Sequence, residues 1–203
     1  MARRTKEEAL ETREKLLDAA LDLFCEKGFS QTRLSDVAER IGMTRGALYG
    51  HFKNKPSLLA ALIQEMHERE RALVAEHAPE VMSLAGLKDY LVARIRIATH
   101  DEQCRKFVRF VLLQMEWSVE VMAAVREELM KFRTEPFEEL SHILTQAQRR
   151  GDLRSGVDAK TAKDMLTGLW IGLLSAHFQG ISATDPVDTA ETALGALIDS
   201  LRA

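Results

Sequence analysis

Between Ile41 and Lys55 the chain reads IGMTRGALYGHFKNK, a stretch that gathers Thr44, Arg45, Tyr49, His51, Lys53 and Lys55 and contains no Asp or Glu. Side chains of these types recognise oxyanions and flat hydrogen-bond acceptors. A guanidinium at Arg45 offers a rigid fork of donors that fits guanine N7 and O6. The Tyr49 hydroxyl can donate to a phosphate while its ring packs below, and Lys53 and Lys55 add positive charge beside a following helix start, whose free N–H groups also favour anions. Gly46 has no side chain to hold a duplex away. Thr44 fits a helix N-cap, where its hydroxyl satisfies a free backbone amide or meets a phosphate oxygen. Each residue also has a plainer role: a single basic side chain is usually just solvated, His51 serves equally as a structural hydrogen-bonder, and Leu48 and Phe52 share the apolar side of Ile41. Their conjunction points to nucleic acid more strongly than any member does.

The elements that must position these residues are helical. Thr5 and Glu8 form a T-x-x-E capping box, after which Leu10, Leu16, Leu17, Ala20, Leu23 and Phe24 recur at helical spacing until Gly28 supplies a stop. Thr32 is the expected start of a second, short helix carrying Leu34, Val37, Ala38 and Ile41, which Gly42 ends. A third begins at Thr44. Two short helices joined by a tight glycine turn form the layout of a helix-turn-helix, whose second helix enters the major groove.

From Pro56 onward the helices lengthen. Leu58, Leu59, Leu62, Ile63, Met66 and Leu73 share one face of a helix that ends no later than Pro79. Further helices are predicted at about 84–99, 102–115, 118–150 with a break at Pro136, 158–179 and 186–202, with glycines at the last joints. No stretch alternates with a period of two. The expected fold is all-α, with a three-helix DNA-binding domain over 1–55, a larger helical domain over 56–203 and no flexible linker.

Charge agrees with this division. The formal net charge is −3, yet residues 1–55 carry 11 Lys and Arg against 9 Asp and Glu, so the positive excess sits in the part that holds the candidate reading face. Cys25 and Cys104 show no paired spacing and read as ordinary residues of a reducing compartment. The basic amino terminus lacks a following apolar segment, and the most apolar run, Met165 to Phe178, is too short to span a bilayer and contains a His. A cytoplasmic protein without a membrane partner is expected. No H-x-x-x-H pair, glycine-rich phosphate loop or nucleophile with a base motif is present, so neither an enzyme, a metal nor a cofactor is expected.

The segment TREKLLDAALDLFCEKGFSQTRLSDVAERIGMTRGALYGHFKNK, from Thr12 to Lys55, resembles the DNA-binding domain of the TetR family of bacterial transcriptional repressors, down to the pattern G-x-T-R-G-x-x-Y-x-H-F-x-x-K. The opening MARRTKEEALETRE is similar to the branch that represses multidrug efflux pumps. The resemblance implies a homodimer on a palindromic double-stranded operator, released by a small-molecule inducer. By matching positions it implies phosphate contacts from Thr44, Tyr49, His51 and Lys55, base-edge positions at Arg45 and Gly46, and a further contact from Arg33. Gly50 departs from the pattern, standing where many members carry a larger residue.

The rest of the chain supports dimer and sensor roles independently. Leu166, Leu169, Gly172 and Leu173 on the penultimate helix and Leu194, Leu197 and Leu201 on the last are the expected dimer face, with Gly168, Gly172 and Ala176 as a ridge of small residues that admits a close partner. The plainer alternative, that both helices are simply internal core, fits poorly with the need to place two recognition helices about one turn of DNA apart. The stretch FVRFVLLQMEWSVEVM mixes Phe, Met and Trp with Glu116 and Glu120, a composition that tolerates varied hydrophobic ligands and would favour cationic ones. Met66, Phe110, Gln114, Trp117 and Trp170 are the candidate lining residues, although such a stripe is more often core. Regulation of a metabolic operon with another inducer remains open, as does a helical binding protein or enzyme without DNA function.

Overall fold

The computed structural model describes residues 6–77, 83–132 and 137–203. Within them the chain forms α1 (Lys6–Gln31), α2 (Leu34–Arg40), α3 (Arg45–Tyr49), α4 (Lys55–His77), α5 (Leu87–His100), α6 (Glu102–Leu113), α7 (Val119–Phe132), α8 (Glu138–Arg150), α9 (Ala159–Phe178) and α10 (Pro186–Leu201). The β pairing among these residues is an isolated bridge between Leu153 and Arg202. Thr5, Pro79 and Pro136, to which sequence patterns assign a cap, an end and a break, lie outside the described residues.

Local chemistry sets the boundaries. Gly28, at φ 81° and ψ 164°, breaks the helical path of α1 where a stop is expected. Thr32 has a different role from the predicted one. Its hydroxyl donates to the carbonyls of Gly28 at 2.7 Å and Leu23 at 3.3 Å, so it closes α1 instead of opening α2. The N-cap of α2 is Arg33, whose backbone N–H donates to the Asp36 carboxylate three residues on. Asn54 and Ser57 exchange side-chain and backbone hydrogen bonds of 2.8 and 3.2 Å at the start of α4, a reciprocal cap that leaves Pro56 in the first turn. Asp158 caps α9, and Asp185 with Pro186 opens α10.

Contacts divide the chain into two compact units, Met1–Met66 with Phe110–Thr134, and His67–Arg109 with Glu135–Ala203. The expected boundary after Lys55 falls at the first turn of α4, whereas the units part further along that helix. In the first unit, Leu16, Leu17, Leu21 and Phe24 of α1 are buried along with Leu48, Leu58 and Leu62. Phe110 stacks on Phe24 with centroids 5.4 Å apart, which brings the end of α6 into this core.

In the second unit α5 packs on α10 and α9, and α9 on α8 and α10. Leu87, Leu91, Ile95, Leu166, Leu174, Leu194, Ile198 and Leu201 are buried there. Arg94 lies among them, 6% exposed, with its Nε and Nη2 donating to the two Glu70 carboxylate oxygens at 2.8 and 3.1 Å. The rings of Phe137, Trp170 and Tyr90 surround the guanidinium at 4.4, 5.2 and 5.6 Å. Burial opposes the Arg94 charge more than any single partner favours it, but Glu70 together with Tyr90 and Glu139 outweighs that penalty and keeps the side chain protonated.

Candidate nucleic-acid interface

The turn between α2 and α3 is built from α2's own loose ends. Gly42, at φ 68°, takes the left-handed conformation that a helix stop of this kind requires. Its N–H donates to Glu39 O at 3.0 Å, and the next N–H, from Met43, reaches back to Ala38 O at 2.8 Å. This pair of bonds is a Schellman motif, and it satisfies the last carbonyls of α2 before the chain reverses into Thr44. Thr44 is then the N-cap of α3, its Oγ1 accepting from Ala47 N at 3.3 Å.

Burial decides which side of α3 faces out. Leu48 is fully buried and Phe52 nearly so, which pins α3 to the core containing Val37 and Ala38 of α2. The opposite side leaves Thr44, Arg45, Gly46 and Tyr49 exposed together, with Tyr49 at 52%. Arg33 is exposed at the head of α2, Lys53 is exposed beyond α3, and His51 is half-buried. Around Gly46 a Cβ would meet nothing within 4 Å, so the backbone there is open to close approach. Arg33, Thr44, Arg45, Gly46 and Tyr49 are thus exposed in the helix-turn-helix, and His51 is half-buried.

Two exposed ion pairs fasten α2 to α1. Lys27 reaches Asp36 at 2.8 Å, and Arg40 forks onto both oxygens of Glu26 at 3.0 and 2.6 Å. The Lys27 contact and the Arg33 N–H hold the Asp36 carboxyl below its usual range, and Arg40 does the same for Glu26.

Lys55 departs from its expected place. Its Nζ donates to the carbonyls of Phe29, Ser30 and Thr32 at 2.7, 3.1 and 3.1 Å and lies 4.4 Å from the Phe29 ring centroid. The ammonium is turned into the α1–α2 corner. Sequence spacing gave no sign of this, because carbonyl partners leave no residue signature.

The candidate ligand residues fall in both units. Met66 and Phe110 are buried in the first, where Gln114 is half-buried and Trp117 is 40% exposed with Nε1 donating to Val111 O at 3.3 Å. Trp170 is buried in the second, edge-on to Phe137, and its Nε1 has no hydrogen-bond partner among the described residues. Glu116 and Glu120, expected to attract a cation, are both exposed, and Glu116 accepts a hydrogen bond from Ser30. An open groove of about 560 Å³ runs between α5 and α10, lined by Lys88, Asp89, Glu191, Asp199 and Arg202, and none of the candidate lining residues borders it. Of the expected dimer face, Leu166, Leu194 and Leu201 are packed within the chain itself, while Leu169, Leu173 and Leu197 are half-buried and Gly172 is exposed. Met165 and Ile171, 41% and 39% exposed, flank that open part.

A helix-turn-helix whose second helix turns an acid-free, donor-rich face outward defines a DNA-binding regulator of transcription. Residues 16–62 match the model of the bacterial regulatory proteins of the tetR family. The transcriptional repressor BepR of Brucella suis is 32% identical over 99% of this chain and 97% of its own. In structure the chain resembles NalD, the secondary repressor of the MexAB-OprM multidrug efflux pump in Pseudomonas aeruginosa, with a TM-score of 0.78 and 26% identity over 96% of this chain and 97% of that one. It also resembles SmeT, repressor of the Stenotrophomonas maltophilia efflux pump SmeDEF, in its complex with triclosan, with a TM-score of 0.75 and 27% identity over 95% and 92% of the two chains. The chain belongs to the TetR family.

Proposed function

We propose that this protein is a homodimeric repressor of an efflux operon that grips a palindromic operator in the cytoplasm and lets go when a small hydrophobic inducer binds. The exposed face of α3 carries the DNA reading, because Arg45 stands exposed at the helix start within a stretch, Ile41 to Lys55, that contains no acid. Arg45 and Gly46 approach base edges, and Thr44, Tyr49, His51 and Arg33 hold the backbone in register. The relatives' roles at efflux pumps supply the target class.

The dimer forms through the open part of α9, where Met165, Gly168, Leu169, Gly172 and Leu173 offer a partner helix a shallow, apolar surface. Two copies related by a two-fold axis place their recognition helices on half-sites one turn of DNA apart. The inducer binds among the aromatic and thioether side chains of the first unit, drawing on Met66, Phe110, Gln114 and Trp117; Trp170, in the second unit, offers a separate aromatic wall. It favours a state in which the two α3 helices no longer match the half-site spacing, through a coupling of roughly 1–3 kcal/mol.

The test is binding to a duplex carrying the inverted repeat upstream of the protein's own gene, set against a scrambled duplex. Arg45→Ala should erase about 1–3 kcal/mol of the preference between them. If wild-type protein binds both duplexes equally, the operator reading fails.

A further inference from the structure

Three carbonyls of the α1–α2 corner, those of Phe29, Ser30 and Thr32, converge on the point that Lys55 Nζ occupies. An ammonium has three N–H donors, so this geometry engages all of them and leaves none for a phosphate. The Phe29 carbonyl also accepts from Thr32 N at 3.3 Å, so the ammonium adds to one backbone bond there and supplies the polar partner that draws the other two carbonyls inward. The corner is also held from a remote part of the sequence: Ser30 Oγ donates to the Glu116 carboxylate, on the connection between α6 and α7.

That connection is itself fixed. Phe110 is stacked on Phe24 of α1, and its carbonyl accepts from Gln114 N and Met115 N, each at 2.9 Å. Trp117 closes over the same turn through its bond to Val111 O. Glu116 therefore meets Ser30 from an anchored loop, and its charge acts on Lys55 as well. By contrast, the pairs that fasten α2 to α1, Lys27 with Asp36 and Arg40 with Glu26, are exposed and hold weakly.

We propose that Lys55 and Glu116 are positioning residues for DNA recognition: Lys55 gathers the carbonyls of the α1–α2 corner, Glu116 fixes Ser30, and together they set the angle at which α2 and α3 meet the duplex. This rests on the operator reading above. It removes Lys55 from the phosphate contacts and brings in a residue from outside the helix-turn-helix.

The experiment measures binding of full-length wild type, Lys53→Ala, Lys55→Met, Glu116→Ala, Glu116→Gln, Ser30→Ala and the Ser30→Ala/Glu116→Ala double variant to the inverted-repeat duplex across a salt series. Circular dichroism and active-site titration with the same duplex correct for any unfolded fraction. Lys53→Ala, which removes an exposed charge, should reduce the slope of log affinity against log salt by about one. Lys55→Met and Glu116→Ala should each weaken binding about tenfold at a fixed salt concentration and leave that slope unchanged. Glu116→Gln, which keeps an acceptor for Ser30, should recover most of the loss. The double variant should bind no more weakly than Glu116→Ala alone, since both changes remove one bond.

A reduced salt slope for Lys55→Met would make Lys55 a phosphate contact and overturn its assignment. Wild-type affinity in Glu116→Ala would overturn the role of Glu116. Failure of wild type to prefer the inverted repeat would instead overturn the operator reading, a distinct result visible before any variant is compared.

Discussion

Among the described residues, each unit has a cation turned inward, Arg94 buried in one and Lys55 half-buried in the other, and the two are held by opposite means. Arg94 is paired with a carboxylate and boxed by three rings, so charge meets charge and its surroundings reinforce its protonation. Lys55 is held by neutral carbonyls and one ring, and burial pushes its ammonium below the usual lysine range, with Glu116 opposing only in part. The first arrangement locks helices together inside a core. The second joins a loop corner to a helix end chiefly by carbonyl dipoles, a bond that yields without leaving a buried carboxylate behind. Firmness thus lies where a fold must persist, and compliance where a reading head must fit a duplex.

The sharpest way to break this comparison is Arg94→Met, which strands Glu70 and leaves the aromatic box around an uncharged stem. It should cost about 3–5 kcal/mol in urea unfolding. A loss no larger than that of Lys55→Met would dissolve the contrast. Lys55→Met should cost less, about 1–3 kcal/mol, because only hydrogen bonds to neutral carbonyls are lost.

A third test uses acid. Arg69 donates to both oxygens of Asp101 at 2.9 and 2.7 Å, and these bonds, against a desolvation penalty and with help from the Cys104 N–H, hold the Asp101 carboxyl well below the usual range. A depressed carboxyl contributes stability above its unfolded pKa of about 4, and that contribution is lost as pH falls toward the folded value. The stability gap between wild type and Asp101→Asn should therefore be full at neutral pH and shrink below about pH 4. The smallest effect belongs to Arg40→Ala: with both partners exposed, its thermal midpoint should stay close to wild type, and a large drop would mean that surface pairs, not the corner, orient α2.

Much of this was legible in the sequence where a residue type forces a backbone outcome. Gly28 breaks the path of α1 and Gly42 ends α2 because positive φ is nearly glycine's alone, and Thr44, Asp158, Asp185 and Pro186 mark helix starts by their capping chemistry. Thr32 misled because a threonine before an apolar run looks the same whether it caps the helix ahead or the one behind. Lys55 misled because an exposed and an inward lysine share one letter. Arg94 went unnoticed in LKDYLVARIRIATH, although a charge flanked by Ala93 and Ile95 within a buried face was a signal worth following. For Leu166, Leu194 and Leu201, apolar periodicity identified a buried stripe but could not say whether their own chain or another copy buries it.

The two tryptophans fall one to each unit, and this gives the molecule a pair of separable optical channels. Trp170, enclosed beside a guanidinium, should emit at short wavelength and resist soluble quenchers, whereas Trp117, partly open to water, should emit further to the red and quench readily. With Trp117→Phe and Trp170→Phe in hand, the loop that holds Ser30 and the core that holds Arg94 can each be watched in isolation. Titrating one compound then reveals which of the two regions answers first.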